Sequence, residues 1–195
     1  MFRELTKPQI EFTGTYAVLS ELAKYGWTAN LTPGTSKNTD IIAYKEIKGK
    51  TVYRRLEVKT TRSNFRLSTK KDISGPHIFW SVGNIEDRNL QDIIYVFVAI
   101  RPVDFSEAQE LLKLRKKGTS LFIDIKKNIH EISFYIVPGP RVKKYLQDAR
   151  NFRSKQNRKS YIDVRIGPGK DDPGSTIKTE EALSKWDLLE HDPKI

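Results

Sequence analysis

Residues 39–61 read "TDIIAYKEIKGKTVYRRLEVKTT". Two runs rich in Ile, Val, Tyr and Thr, 39–46 and 51–61, flank the Gly-containing segment 47–50, a pattern that predicts a β-hairpin. Alternate residues of a strand share a face, so Glu57 and Lys59 stand side by side while Val58 points into the opposite layer. Counting back from the Lys48-Gly49 turn sets Asp40 opposite residues 57–59. Two carboxylates and one ammonium therefore gather at one end of the hairpin.

Upstream, "FTGTYAVLSELAKYGW" (12–27) reads as an amphipathic helix with Thr13 as its N-cap, Val18, Leu22 and Tyr25 as its apolar stripe, and Gly26 as its stop. Gly14, Ala17 and Glu21 run beside that stripe. The two small residues allow a close approach to whatever lies beneath and set Glu21 at the edge of the buried face. Downstream, strands are expected at 28–34, 77–83, 91–101, 120–127, 131–138 and around "YIDVRI" (161–166). The run 91–101 is apolar enough to be buried on both faces. Helices are expected at 106–118, at 140–152 with Pro140 in its first turn, and at 178–190 with Thr179 as a cap. "GPGKDDPG" (167–174) reads as a connector. The order is that of an α/β or α+β fold with a mixed sheet flanked by helices.

Charge narrows the function. The 195 residues carry 35 Lys and Arg against 24 Asp and Glu, a net charge of +11 with a pI near 9.7. Such a field draws polyanions, of which nucleic acids are the abundant kind. The excess concentrates in "KTTRSNFRLSTKK" (59–71) and "RVKKYLQDARNFRSKQNRK" (141–159), and Arg62, Arg66, Lys143, Lys144, Arg150 and Arg153 are the candidate phosphate contacts. With no Cys there are no disulfides, thiolate zinc sites, Fe–S clusters or Cys nucleophiles. The three His residues, His77, His130 and His191, lack metal-ligand spacing. Neither a Walker A loop nor a nucleophile elbow is present. No apolar run reaches a membrane span, and the first residues lack the apolar core of a signal peptide; with no Cys, a reducing cytoplasm is the expected location.

Asp40, Glu57 and Lys59 form the kind of cluster that phosphodiester hydrolysis uses: hard oxygen donors for Mg2+, with Mn2+ as a substitute, and a nearby cation for the phosphate or the attacking water. Plainer readings stand beside this one. Glu-x-Lys is common on polar strand faces, Asp40 suits a turn, and Glu21 has Lys24 within reach on its own helix.

The segments "GTYAVLSELAKYGW", "TDIIAY" and "YRRLEVKTT", in that order, resemble the core of the PD-(D/E)XK nuclease superfamily, the restriction-endonuclease-like fold. The strand at Tyr95–Val98 and the segment Tyr135–Pro138 extend the resemblance to small prokaryotic members. It is closest over residues 12–61 and looser to about residue 150, and Thr39 stands where the superfamily often has Pro. The resemblance implies a metal-dependent DNA endonuclease. It makes Asp40 and Glu57 metal ligands and catalytic carboxylates, Lys59 the catalytic lysine, Glu21 the helix acid, and the Val58 main-chain carbonyl a further ligand. It also implies a nuclease-like domain over 1–166 with 103–130 inserted in it, and leaves 167–195 as a linker and closing helix. Duplex DNA is the expected partner, and a homodimer is expected because cutting both strands takes two sites. The rival readings are a catalytically silent nucleic-acid binder on the same fold, a repair or junction nuclease, and a globular protein whose charge is incidental.

Overall fold

A computed structural model of the chain describes residues 5–34, 36, 39–62, 65–66, 77–82, 89–102, 129–154, 163–167 and 177–191. The helix expected at 106–118 and the strand expected at 120–127 lie outside these residues, as do most of the 167–174 connector and of the 103–130 segment.

The first helix, α1 (Lys7–Lys24), begins well before residue 12. Thr6 is its N-cap, and Gln9 Oε1 accepts hydrogen bonds from the Thr6 N–H at 2.8 Å and the Thr6 hydroxyl at 3.0 Å. Pro8 sits in the first turn, where a missing N–H costs nothing. Thr13, expected as the cap, lies inside the helix and donates its hydroxyl to the Gln9 carbonyl at 2.7 Å. The helix ends as expected: the Trp27 N–H reaches the Leu22 carbonyl at 2.9 Å, and Gly26 takes a φ of +76°. Val18 and Leu22 are buried, whereas Tyr25 is exposed and stacks on Trp186 with ring centroids 5.8 Å apart.

Strand β1 (Thr28–Leu31) pairs antiparallel with β2 (Ile41–Ile47), which pairs antiparallel with β3 (Lys50–Arg62). The hairpin turn has φ +51° at Lys48 and +73° at Gly49, the paired left-handed geometry whose twist suits a two-residue β-turn. Beyond the start of β2, the second half of β3 runs parallel to β6 (Ile93–Pro102), from Arg55 opposite Ile93 to Arg62 opposite Ile100. Strand β7 (Ile129–Pro138) follows antiparallel to β6, giving a mixed five-stranded sheet in the order β1-β2-β3-β6-β7. Residues 93–100 are buried throughout, as their unbroken apolar run predicts. A second sheet joins β4 (Phe65–Arg66), β5 (His77–Ser81), β8 (Asp163–Gly167) and β9 (Ile177–Lys178).

Two apolar layers clamp the main sheet. On one face, Val18 and Leu22 of α1 meet Ile41, Ala43, Leu56, Val58, Val96 and Val98, with Trp186 and Leu189 from the far end of the chain. On the other, Tyr95, Phe97 and Tyr135 meet Trp80, Val164 and Ile166 of the second sheet and Val142 and Leu146 of α2 (Gly139–Ser154). Among the described residues, that second layer covers β6 and β7 and leaves the matching face of β2 and the start of β3 open, with Ile42, Tyr44 and Tyr53 exposed.

The segment 178–190 is not one helix. A single turn, α3 (Thr179–Ala182), gives way to Leu183, which bridges Tyr135, and to Ser184 at φ +51°; a 3-10 helix (Trp186–Leu189) follows. The Ser184 N–H donates to the Phe134 carbonyl at 2.8 Å, so pairing with β7 interrupts the helix. Arg54 fixes the end of the segment, its Nε donating to the Leu189 carbonyl and a terminal nitrogen to the His191 carbonyl, each at 2.7 Å. Lys45 adds an ion pair to Glu190 at 2.6 Å.

Candidate active site

Asp40 occupies a bend one residue before β2. Its N–H donates to the Leu56 carbonyl at 2.8 Å, and its carbonyl accepts from the Thr32 N–H at 3.0 Å. Its carboxylate then does what a further residue of β2 would do: Oδ2 accepts the Val58 N–H at 2.7 Å. One side chain thus continues the antiparallel ladder past the end of the strand. The N–H and C=O of an extended residue point to the same lateral side, so the Val58 carbonyl is turned toward Asp40 as well.

Glu57 and Lys59 flank Val58 on the opposite face from Leu56, Val58 and Thr60. Glu57 is only 5% exposed, between Asp40 on one side and Tyr95, its register partner on β6, on the other. Lys59 stays partly open, and its Nζ lies 2.5 Å from Glu57 Oε1. A carboxylate this deeply buried needs a cation, and Lys59 supplies one. Asp40, Glu57, Val58 and Lys59 are therefore brought together, at the boundary between the covered and open halves of the sheet.

Glu21 is not brought to them. The stripe of small residues seats α1 on the other face: a Cβ built on Gly14 would lie 1.8 Å from Thr60 Oγ1. Thr60 shares its face with Val58, so α1 covers the side away from Glu57 and Lys59. Glu21 pairs instead with Lys24 at 2.6 Å along its own helix. Among the described residues, no group of three or more His, Cys, Asp or Glu side chains is placed to hold a metal ion. This end of the hairpin offers, among the described residues, two carboxylates, Asp40 and Glu57, and the Val58 main-chain carbonyl. That set fits Mg2+, which typically takes one or two protein carboxylates and keeps several waters.

Of the expected phosphate contacts, Lys143 is half-buried on α2, and Lys144 is exposed and paired with Asp148 at 2.8 Å. Arg62 closes β3, Arg66 lies in β4, and Arg150 and Arg153 lie on α2; their side chains fall outside the described residues. The described part of 59–71 includes β4 of the second sheet, and the described part of 141–159 belongs to α2, which packs on β8.

Two features beside the carboxylates escape a search for acidic motifs. Thr39 is buried, and its hydroxyl accepts hydrogen bonds from Arg55 Nε at 3.1 Å and a terminal nitrogen at 3.0 Å, which anchors Arg55 next to Asp40. Tyr44 and Tyr53, each four residues from the Lys48-Gly49 turn, face each other on the open side of the hairpin. The turn itself was the signal, since equal distances from it put two residues in register.

No protein-family model matches the chain, and no curated protein matches it. The chain is distantly similar to a solved structure, that of a bacterial homing endonuclease, with a TM-score of 0.42 and 11% sequence identity over 95% of this chain and 92% of that one.

Proposed function

We propose that this chain is a metal-dependent nuclease that hydrolyses phosphodiester bonds in DNA. In this reading Mg2+, or Mn2+ in its place, is held by Asp40, Glu57 and the Val58 carbonyl. The observation that carries it is the Asp40 carboxylate bound to the Val58 N–H at 2.7 Å, which fixes a second carboxylate and a lysine beside it. When bound, such an ion neutralises charge on the phosphate and makes a coordinated water more acidic. Asp40, at the bend before β2, and Glu57, on β3, would hold the ion through their carboxylate oxygens. Lys59, partly open and within hydrogen-bond distance of Glu57, reaches a water or a phosphate oxygen placed above it. The net charge of +11 concentrates the polyanionic substrate around the site. A homodimer and a cytoplasmic location accompany this reading.

The test is cutting of supercoiled plasmid in Mg2+ or Mn2+ by the wild type, Glu57→Ala and Lys59→Ala. The wild type is expected to nick or linearise the plasmid and both variants to lose that activity. Equal cutting by all three sinks the assignment. One observation favours a second reading, a silent DNA binder: Lys59 already satisfies Glu57 without a metal. Tight, salt-sensitive DNA binding with no cutting by any of the three proteins selects that reading.

A further inference from the structure

The open half of the sheet continues from the candidate site in a straight row. Asp40 and Glu57 occupy one end, Ile42 and Arg55 come next, and Tyr44 and Tyr53 follow, all on one face by strand alternation. Tyr53 is 63% exposed, Ile42 43% and Tyr44 38%, an unusual display of large side chains on a sheet. The two rings sit 5.9 Å apart between centroids with a 38° tilt, so they hold each other in place without being covered. Four residues of strand separate Tyr53 from Glu57, about 13 Å. Arg55 stands between them, with two of its nitrogens on Thr39 and the rest of its five donors unassigned to that contact. Glu46, at the far end of the row, is held by the Thr51 hydroxyl.

We propose that this row is a binding track for a nucleic-acid strand with unpaired bases. Tyr53 and Tyr44 stack on bases, Arg55 grips a phosphate, and the strand leads to the Asp40–Glu57–Lys59 cluster. The inference rests on the nuclease reading and narrows its substrate to DNA with a single-stranded segment beside the scissile bond: a flap, an overhang or an open junction. Bases inside a duplex have no free face to offer the rings, whereas an unpaired base stacks on any exposed aromatic side chain. A strand also suits the charge, since Arg55 and Lys59 lie on the same strand face and the chain is strongly basic.

The experiment measures binding by fluorescence anisotropy without divalent metal, using a fluorescein-labelled oligothymidylate and a labelled blunt hairpin duplex. The proteins are the full chain, Tyr53→Ala, Tyr44→Ala and Tyr53→Phe. Each Ala variant should weaken single-strand binding about tenfold, leave duplex binding unchanged and keep the thermal midpoint. Tyr53→Phe, which retains the ring, should bind like the wild type. Unchanged single-strand binding by both Ala variants overturns the inference, and so does equal weakening for the duplex. If size-exclusion chromatography shows the Ala variants shifting from dimer to monomer, the face belongs to a second copy and the track is refuted. Cutting in Mn2+ of a labelled duplex with a single-stranded overhang, by the same proteins and Glu57→Ala, separates the two levels. Glu57-dependent cutting with unaltered single-strand binding removes the track alone, whereas a wild type that neither binds nor cuts removes the nuclease reading with it.

Discussion

Asp40 is both a structural and a chemical group, and two substitutions separate the roles. Its Oδ2 accepts the Val58 N–H at 2.7 Å in a partly buried, charge-assisted hydrogen bond. Such bonds contribute about 1.5–3 kcal/mol, and the partial exposure here puts the value near the lower end. Asp40→Ala removes the acceptor and strands a main-chain donor just past the end of β2. Asp40→Asn keeps an oxygen in the same place and loses only the charge, a cost of about 0.5–1 kcal/mol. For a chain of this size, 1 kcal/mol moves the thermal midpoint by about 2–4 °C. The Ala variant should therefore melt about 3–6 °C below the wild type and the Asn variant about 1–4 °C below it. Both should lose plasmid cutting in Mg2+, because neither offers a second carboxylate. Differential scanning calorimetry and a nicking assay on the same preparations give the answer. Equal destabilisation by Asn and Ala refutes the ladder role of the side chain, and an Asn variant that still cuts refutes the chemical one.

Further outcomes follow from the packing of α1 and of the C-terminal segment. Gly14→Ala gains about 1 kcal/mol of helix propensity but drives a methyl group into Thr60, and overpacking of this kind costs about 1–3 kcal/mol. Urea titration should show a net loss, partly restored by adding Thr60→Ala, and a Gly14→Ala variant as stable as the wild type contradicts the contact. Glu21→Gln should cut plasmid at the wild-type rate, since Glu21 stands on the far side of the sheet paired with Lys24; a loss comparable to that of Glu57→Ala would falsify this placement. Glu190 is held below its ordinary value of 4.5 by the hydrogen bond and charge of Lys45. A carboxylate lowered in this way stabilises the fold above its unfolded value and loses that contribution as pH falls through the folded one. Stability measured downward from about pH 5 should thus decline less steeply in Lys45→Ala than in the wild type, and identical slopes would show that the pair contributes nothing.

The hairpin and the grouping of Asp40 with Glu57 and Lys59 were legible because a two-residue turn fixes register, and register fixes faces. The buried run at 93–100 was legible from its unbroken apolar character. The position of Glu21 was not, because an apolar stripe says which side of a helix is buried but not which face of a sheet receives it. Thr60 holds that information, yet only a contact with Gly14 reveals it. The start of α1 was hidden by polar residues and Pro8, which fit a first turn as well as a loop. The C-terminal segment misled for a different reason: Trp186 and Leu189 suit a helical stripe, but the bond from Ser184 to Phe134 breaks the helix at a position with no Gly or Pro to mark it. The aromatic row was not legible, because strand alternation puts Ile42, Tyr44 and Tyr53 on one face but does not say that this face stays exposed.

The join between β3 and β6 bears on how the molecule assembles in time. Parallel strands have no tight turn to template them, and closing the long connection between them precedes any reward from pairing. The β2–β3 hairpin has its two-residue turn and should form within about 1–10 μs. Asp40 therefore meets Val58 in one of the earliest encounters of folding, while Glu57 still faces water on the side that β6 will occupy. Burial of that carboxylate waits for one of the slowest encounters, by which time Lys59 is already two residues away on the same strand face. The chain never has to bury the charge alone.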